Sequence, residues 1–434
     1  MADHGVLLLG RTFGFRADPF LVPPEEAIDW RERGAILLRG GLIEAVGEAD
    51  ELIAAHPQAR RVDCGRRILA AGFVDCHNHY PQTRIIASWG ARLIDWLNRY
   101  TFPEEMRFGD PAYAAAVAED YLDLLLANGI TAASAYCTTH PESVDALFAA
   151  AERRGMAMTA GKVMMDRNAP EGLIDDAQRG HDESAALIAR WRGRGRLAYA
   201  VTPRFAPTSS PAQLEAAGAL FAANPDCAMQ THLSEQTEEI AWVRRLYPEE
   251  ADYLAVYERF GLVRPGAIMG HAIHLEPREI AALAARGAAV AHCPTSNAFI
   301  GSGLCDVMGL KAAGVEVGLA TDVGGGSSFS MLATMRAAYE IGQLRGAALH
   351  PAQLFWLATE GSARAMRRPE FGRLSPGAAA DIVALDPEAT PVLAQRSARA
   401  ESPSDLLFAL LIIGDDRAVA ETWAGGVAMK GGLG

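Results

Sequence analysis

The chain has 434 residues, half of them apolar, and a formal net charge of −13. This length exceeds the usual size of one compact domain, so we expect a barrel-sized catalytic domain and a smaller one. The acidic balance and the lack of basic runs argue against nucleic acid or an anionic membrane as partner, because both bind clustered Lys and Arg.

Cysteine usage and the N-terminal segment indicate the compartment. The six cysteines are dispersed and show no C-x-x-C pairing: Cys64, Cys76, Cys137, Cys227, Cys293 and Cys305. Such a pattern suits free thiols in a reducing cytoplasm better than a disulfide framework. The first residues lack the basic region of a signal peptide, and the longest apolar run, Leu406 to Ile413, covers about half a bilayer. We therefore expect a cytoplasmic protein.

The two ends of the chain are predicted to form one small β domain. Residues 1–70 contain short apolar runs such as Val6 to Leu9, separated by Gly, Pro and charged residues. Residues 376–434 contain similar runs, such as Asp381 to Asp386, with Gly turns between them. We interpret both segments as parts of a single discontinuous domain.

The middle of the chain, residues 71–375, alternates strand-like apolar runs with amphipathic helical stretches. Eight runs are found, at residues 68–74, 130–136, 157–165, 196–201, 227–232, 267–271, 288–292 and 315–320. Alternating β and α segments predict an α/β fold with a parallel sheet, and eight units predict a closed (β/α)8 TIM-type barrel.

The first run leads into the string F-V-D-C-H-N-H-Y-P-Q. His77 and His79 are two residues apart, so in an extended strand both imidazoles project from one face and can reach one metal ion. Two ligands do not make a metal site, however, and an isolated H-x-H is more often part of a surface loop.

Further candidate ligands fall where a barrel places its active site, at the C-terminal ends of strands. The fifth run ends at His232, the sixth at His271 and the eighth at Asp322, just before a glycine-rich turn. Taken singly, each has an ordinary alternative, either a hydrogen-bonded core histidine or an aspartate that caps a turn. Their joint occurrence with H-x-H favours a metal site.

The strings G-F-V-D-C-H-N-H, T-H-L-S-E, G-H-A-I-H and G-L-A-T-D-V-G resemble the amidohydrolase superfamily. Its members hold one or two metal ions at the mouth of such a barrel. Binuclear members bridge the metals with a carboxylated lysine at the end of the fourth strand. Here that strand ends in Val201-Thr202-Pro203-Arg204, and Lys162 lies inside the third strand. The resemblance therefore implies a single metal ion.

Three longer strings are similar to the guanine deaminase family: H-N-H-Y-P-Q-T, W-L-N-R-Y-T-F-P-E-E and T-P-R-F-A-P-T, at residues 77–83, 96–105 and 202–208. The chain departs from the family at Ala71, where proline is usual. The resemblance implies a homodimeric enzyme that converts guanine and water to xanthine and ammonia.

The residue types agree with that chemistry. Four ligands, His77, His79, His232 and Asp322, would leave one position on Zn²⁺ for water, whose pKa zinc lowers to about 7. A zinc-activated hydroxide would then attack the carbon that carries the amine. Iron is also possible, because the same ligand set tolerates it.

Three residues are candidates for catalytic roles. Asp322 can orient the attacking water as well as bind the metal. Glu235, three residues after His232, is close enough to shuttle protons, although the same position also suits a first-turn helix residue that the dipole favours. His271 is either a catalytic or ligand-orienting residue or a weak metal ligand.

Substrate recognition is assigned by resemblance. Arg204 would donate to the ring carbonyl of a purine, Phe205 would pack against the base, and Gln82 would offer a donor and an acceptor. Because arginine has only donors, this set suits guanine better than adenine.

Alternatives stay open at this point. Another aminohydrolase of the superfamily, acting on a different amino-substituted heterocycle, would keep every metal ligand. A non-catalytic barrel scaffold would be expected to lose them. Residues with open roles are His140 and His292, at strand ends, and the segment from Trp89 to Tyr100, which forms either a lid or core packing.

Overall fold

The computed structural model describes residues 4–90, 92–431 and 433. The strands are β1 Val6–Phe15, β2 Ile28–Arg39, β3 Leu42–Glu48, β4 Arg60–Ala71, β5 Phe73–His79, β6 Ile130–Tyr136, β7 Ala157–Gly161, β8 Val163–Met164, β9 Leu197–Pro203, β10 Ala228–Leu233, β11 Ala267–His271, β12 Ala289–His292, β13 Val317–Leu319, β14 Ile382–Leu385, β15 Val419–Ala424 and β16 Val427–Ala428.

The α-helices are α1 Pro24–Ala27, α2 Ala49–Ala55, α3 Leu93–Trp96, α4 Phe102–Glu105, α5 Pro111–Ala127, α6 Pro141–Arg154, α7 Ala177–Trp191, α8 Pro211–Ala223, α9 Thr237–Leu246, α10 Tyr253–Arg259, α11 Pro277–Arg286, α12 Pro294–Phe299, α13 Val307–Ala312, α14 Met331–Leu344, α15 Pro351–Trp356, α16 Ser362–Ala365, α17 Pro391–Ser397 and α18 Pro403–Ile413. Short 3-10 turns lie at Tyr80–Ile85, Met106–Gly109, Glu171–Leu173, Ala206–Thr208 and Asp416–Ala418, and π turns at Leu97–Thr101 and Leu357–Gly361. Across the described residues, every helix is too short or too polar to cross a membrane.

The predicted barrel is confirmed. Strands β5, β6, β7, β9, β10, β11, β12 and β13 lie side by side in that order, and each pairs in parallel with the next. Helices follow each strand and cover the outside, as expected when both faces of a parallel sheet must be buried. Side-chain caps mark where the helices begin; Asp176, for example, accepts a hydrogen bond from the backbone N–H of Arg179 at the start of α7.

A second sheet joins the two ends of the chain, also as predicted. Its order is β16-β15-β14-β4-β1-β2-β3, so strands from the C-terminal segment pair with strands from the N-terminal one. Its core side chains include Leu8, Ile36, Leu69 and Trp423. The domain limits at residues 70 and 375 stay a prediction, and residues 1–3, 91, 432 and 434 of the predicted segments lie outside the described residues.

The predicted first strand requires a correction. The run at residues 68–74 reads as one strand, but Arg60–Ala71 belongs to the terminal sheet and Phe73 starts the barrel. Gly72 lies between them, and its N–H donates to the carbonyl of Asp381 at 2.9 Å. The two strands are both buried and apolar, so their sequence pattern does not reveal the change of sheet.

A seam of polar contacts joins the first and last barrel strands. The N–H of Asp322 donates to the carbonyl of His77 at 3.0 Å, and the N–H of His79 donates to the carbonyl of Val323 at 2.6 Å. Behind them, the buried carboxylate of Asp75 accepts from the backbone N–H of Thr321 at 3.1 Å and from its hydroxyl. Burial raises the pKa of Asp75 to about 6. These contacts close the barrel.

Removing one of these contacts should destabilise the fold. Thr321→Val keeps the side-chain shape but takes a donor from a buried carboxylate, so we expect a loss of about 1–3 kcal/mol of stability. The measurement is the thermal unfolding midpoint. Thr131→Val is the matched control, because the hydroxyl of Thr131 is buried without a hydrogen-bond partner. Equal midpoints for the two variants would contradict the role of the seam.

Candidate active site

Four of the predicted residues converge at the C-terminal mouth of the barrel. His77 and His79 end β5, His232 lies near the end of β10, and Asp322 follows β13. All four are buried. Space for His77 is made by Gly270 on β11, where a Cβ would come within 2.7 Å of the imidazole.

The ligand atoms of these residues are separated as a metal site requires. Asp322 Oδ1 lies 3.4 Å from Nε2 of both His77 and His79, and Nε2 of His79 lies 3.2 Å from Nε2 of His232. In a tetrahedral zinc site with bonds of roughly 2.0–2.1 Å, ligand atoms are about 3.3 Å apart. These three distances fit one small cation. The three histidines form one group of ligand atoms within 4.8 Å of one another, and Asp322 forms a second such group with His77, His271 and Cys293.

The protonation states also fit a cation. Burial lowers the pKa of His77, His79 and His232, that of His79 to about 3, so all three are neutral and can offer a lone pair. Burial alone would raise the pKa of Asp322, but contacts with His77 and His79 outweigh it and hold that pKa well below the usual value. Three neutral imidazoles and a carboxylate form a donor set for a divalent metal.

Unpaired nitrogens point to the same conclusion. Nδ1 of His232 faces the carbonyl of Arg204 at 2.7 Å, which leaves Nε2 free to bind. Nε2 of His77, the nitrogen that faces Asp322, is buried without a hydrogen-bond partner. Such orphaned polar atoms are expensive unless a ligand satisfies them.

Glu235 and His271 lie beside this cluster. Nε2 of His271 is 3.5 Å from Oε2 of Glu235 and 3.7 Å from Oδ2 of Asp322. Burial would lower the pKa of His271, but the two carboxylates outweigh it and raise that pKa. Burial raises the pKa of Glu235, so this carboxyl holds a proton more readily than an exposed glutamate. Helix α9 begins at Thr237, so Glu235 precedes the helix rather than occupying its first turn.

The segment after β12 contacts both of these side chains, through Asn297 in α12 and Ser302 just beyond that helix. Ser302 donates its hydroxyl hydrogen to Oε1 of Glu235 at 2.9 Å. Asn297 Oδ1 lies 2.9 Å from Nδ1 of His271. Neither residue is predicted from the sequence, although Asn297 ends the string H-C-P-T-S-N.

The predicted recognition residues line the same pocket. Gln82 is in the turn after β5, and Arg204 and Phe205 directly follow β9. Arg204 Nη1 donates to Oε2 of Glu105 at 2.7 Å, and Gln82 Nε2 donates to Oε1 of Glu105 at 3.0 Å. Glu105 ends the string W-L-N-R-Y-T-F-P-E-E, and the sequence predicts no role for it.

The pocket has a volume of about 390 Å³, including its opening. Its lining is His79, Gln82, Leu93, Trp96, Leu97, Arg204, Phe205, His232, Glu235, His271, Ile300, Asp322 and Gly325. Polar and ionisable groups thus face a largely apolar wall, which suits a flat aromatic ligand.

The residues with open roles are now placed. Trp96 lines the pocket, whereas Trp89 is 72% exposed and does not. Tyr100 packs against the same apolar cluster as Trp96. His140 precedes α6 outside the pocket lining, and His292 is buried without a hydrogen-bond partner for either ring nitrogen.

Comparison with known proteins identifies the family. The model of the amidohydrolase family matches residues 68–429, and that of an imidazolonepropionase-like composite domain from bacteria matches residues 34–59. A guanine deaminase of Escherichia coli (strain K12) is 42% identical over 408 residues, which cover 93% of each chain.

Solved structures agree. The structure of an E. coli guanine deaminase matches with a TM-score of 0.95 and 40% identity, covering 97% of this chain and 98% of that one. A guanine deaminase from C. acetobutylicum, solved with guanine in its active site, matches with a TM-score of 0.88 and 25% identity over 97% of this chain and 99% of that one. The chain therefore belongs to the amidohydrolase superfamily and, within it, to the guanine deaminase family.

Proposed function

We propose that this protein hydrolyses guanine to xanthine and ammonia. The observation that carries the proposal is a single pocket that two sets of residues line together, first His79, His232, Asp322 and Glu235, and second Arg204 and Gln82. The first set suits attack on a carbon that bears an amine, and the second suits a ring carbonyl nearby. Guanine presents both groups on one ring.

We assign His77, His79, His232 and Asp322 as ligands of one divalent metal ion, with zinc preferred and iron possible. When bound, zinc would polarise a water molecule and lower its pKa to about 7, which makes a nucleophile available at neutral pH. His271, whose raised pKa favours a cationic imidazole, is a poor ligand. We assign it instead as a hydrogen-bond donor to the adduct that forms when water adds to the ring.

The protein's own groups then move the protons. Asp322 accepts a hydrogen bond from the attacking water and orients it. Glu235 takes one proton from the attacking water and passes it to the ring nitrogen. It then takes the second proton from the hydroxyl of the adduct and gives it to the departing amine, because ammonia is a poor leaving group until it is protonated. Ser302 and Asn297 hold Glu235 and His271 in position for these transfers.

Recognition of the base follows from donor and acceptor types. Arg204 donates to the ring carbonyl, Gln82 hydrogen-bonds the base edge, and Phe205 packs against the ring. Adenine has an amine where guanine has this carbonyl, and arginine cannot accept a hydrogen bond from it.

The proposal extends to the assembly and location of the enzyme. We propose a homodimer, on the strength of the family resemblance alone. A cytoplasmic location is supported by the six free, buried cysteines. A different amino-substituted heterocycle is the alternative substrate, since it would use the same metal ligands.

Substrate choice is tested with a panel of guanine, adenine, cytosine and an amino-triazine. We expect ammonia release with guanine and little or none with the others, because adenine and the triazine lack a carbonyl for Arg204, and cytosine, which has one, lacks the second ring of a purine. Turnover of the triazine alone would overturn the recognition argument and favour the alternative substrate.

Glu235→Gln should lower kcat for guanine by about 10²–10⁴-fold, because the amide cannot carry a proton between water and amine. Metal content should stay unchanged, as measured by plasma mass spectrometry. Glu238→Gln, at an exposed glutamate on the same loop-helix junction, is the control and should retain activity. Full activity of Glu235→Gln would remove Glu235 from the mechanism.

Metal removal should abolish activity and lower the thermal midpoint, because a bound ion stabilises only the folded state. We expect one metal equivalent per chain, restored by zinc but not by magnesium, whose preferred ligands are oxygen atoms. Asp322→Asn should reduce metal content, whereas His181→Asn, at an exposed site, should not. Full metal content in Asp322→Asn would contradict the assigned ligand set.

A further inference from the structure

Glu105 is a buried carboxylate that the proposed mechanism does not use. It ends α4, in the segment that covers the pocket, and its side chain is 1% exposed. Its two oxygens bind different partners, Oε2 the guanidinium of Arg204 and Oε1 the amide of Gln82. The partners come from chain positions 99 and 23 residues away, so Glu105 ties three separate segments together.

Glu105 does not touch the space where a base would bind. Gln82 and Arg204 line the pocket, but Glu105 is not among the lining residues. Its contacts with these side chains occupy one atom of each, Nη1 of Arg204 and Nε2 of Gln82. Any effect of Glu105 on a ligand must therefore act through these two residues.

The arrangement fixes the orientation of the Gln82 amide. Its Nε2 faces the Glu105 carboxylate, and its Oε1 accepts from the N–H of Gly324 at 3.3 Å. A flipped amide would place two acceptors against each other at Glu105 and two donors against each other at Gly324. The carboxylate therefore decides which amide edge is presented to the pocket.

The same carboxylate balances the charge of Arg204. The guanidinium is 4% exposed and its charge would otherwise be uncompensated in a nearly dry site. With Nη1 anchored to Glu105 and the plane lying over the Phe102 ring at 5.6 Å, the direction of the remaining N–H groups is set. An unanchored arginine would lose side-chain entropy on meeting a carbonyl oxygen.

We propose that Glu105 is the positioning residue that makes the pocket selective for a purine with a 6-oxo group. It does so by holding Arg204 and Gln82 in their recognition geometry before the base arrives. This inference rests on the proposed function, because it assumes that Arg204 meets the carbonyl of the substrate.

The test compares two unreactive bases, hypoxanthine and purine, which lack the 2-amine and differ at the 6-oxo group. Their dissociation constants are measured by calorimetry on the metal-loaded protein. We expect Glu105→Gln to weaken hypoxanthine binding by about 10- to 100-fold and purine binding by less than about threefold. The reason is that the charge-assisted hydrogen bond from Arg204 to the 6-oxo group is weakened, and purine has no such group. A residue that merely supports the fold would weaken both bases equally.

Conservative and control variants complete the design. Glu105→Asp keeps the charge and should recover part of the preference, which also covers the case in which Glu105→Gln does not fold. Glu104→Gln is the matched control, because the adjacent buried glutamate contacts Tyr113 and Arg107 instead and should leave the preference intact. In an Arg204→Leu background, Glu105→Gln should cause little further loss for hypoxanthine.

The outcomes separate this inference from the proposed function. A wild-type protein that binds hypoxanthine no better than purine would refute the role of Arg204 and with it the proposed recognition of guanine. A wild-type preference that persists in Glu105→Gln and Glu105→Asp would leave guanine recognition standing and overturn the role of Glu105 alone.

Discussion

The seam between the first and last barrel strands is the constraint on which the active site depends. Asp75 and Thr321, 246 residues apart in the chain, meet there in the core. The backbone hydrogen bond from the N–H of Asp322 to the carbonyl of His77 then places the Asp322 carboxylate beside the histidines. Since a buried carboxylate without its donors is costly, the barrel closes in one register, and that register sets the positions of His77, His79 and Asp322.

Charge balance shapes the rest of the pocket. On one side, His271 lies between the carboxylates of Glu235 and Asp322. On the other, Arg204 is paired with Glu105. Arg204 and His271, whose pKa the two carboxylates raise, thus have anionic partners before any ligand binds, so the site is organised in advance and little reorganisation is needed during reaction.

The segment from Leu93 to Glu105 both lines the pocket and contacts Arg204 and Gln82. Leu93, Trp96 and Leu97 supply part of the apolar wall, and α4 of the same segment carries Glu105. An apolar cover excludes water and strengthens the electrostatic contacts beneath it. Through Glu105, this segment is therefore connected to Arg204 and Gln82.

The sequence by itself determined the barrel, the split terminal sheet and the residues that cluster at the barrel mouth. These follow from local rules: strand and helix periodicity, and the fact that parallel strands place their C-terminal ends at one face. The presence of all four candidate metal ligands in the sequence also argued against a non-catalytic scaffold. The sequence pattern did not predict the change of sheet at Gly72, because the two adjacent buried strands share one apolar pattern.

Only the tertiary structure decided which side chains hold the site residues in place. Ser302 reaches Glu235 across 67 residues, and Glu105 reaches Arg204 across 99. The sequence around Ser302 or Glu105 does not reveal the partner of either side chain, because the partner is set by how distant segments of the chain pack. The protonation states likewise arise from burial and neighbouring charges, which exist only once the chain has folded.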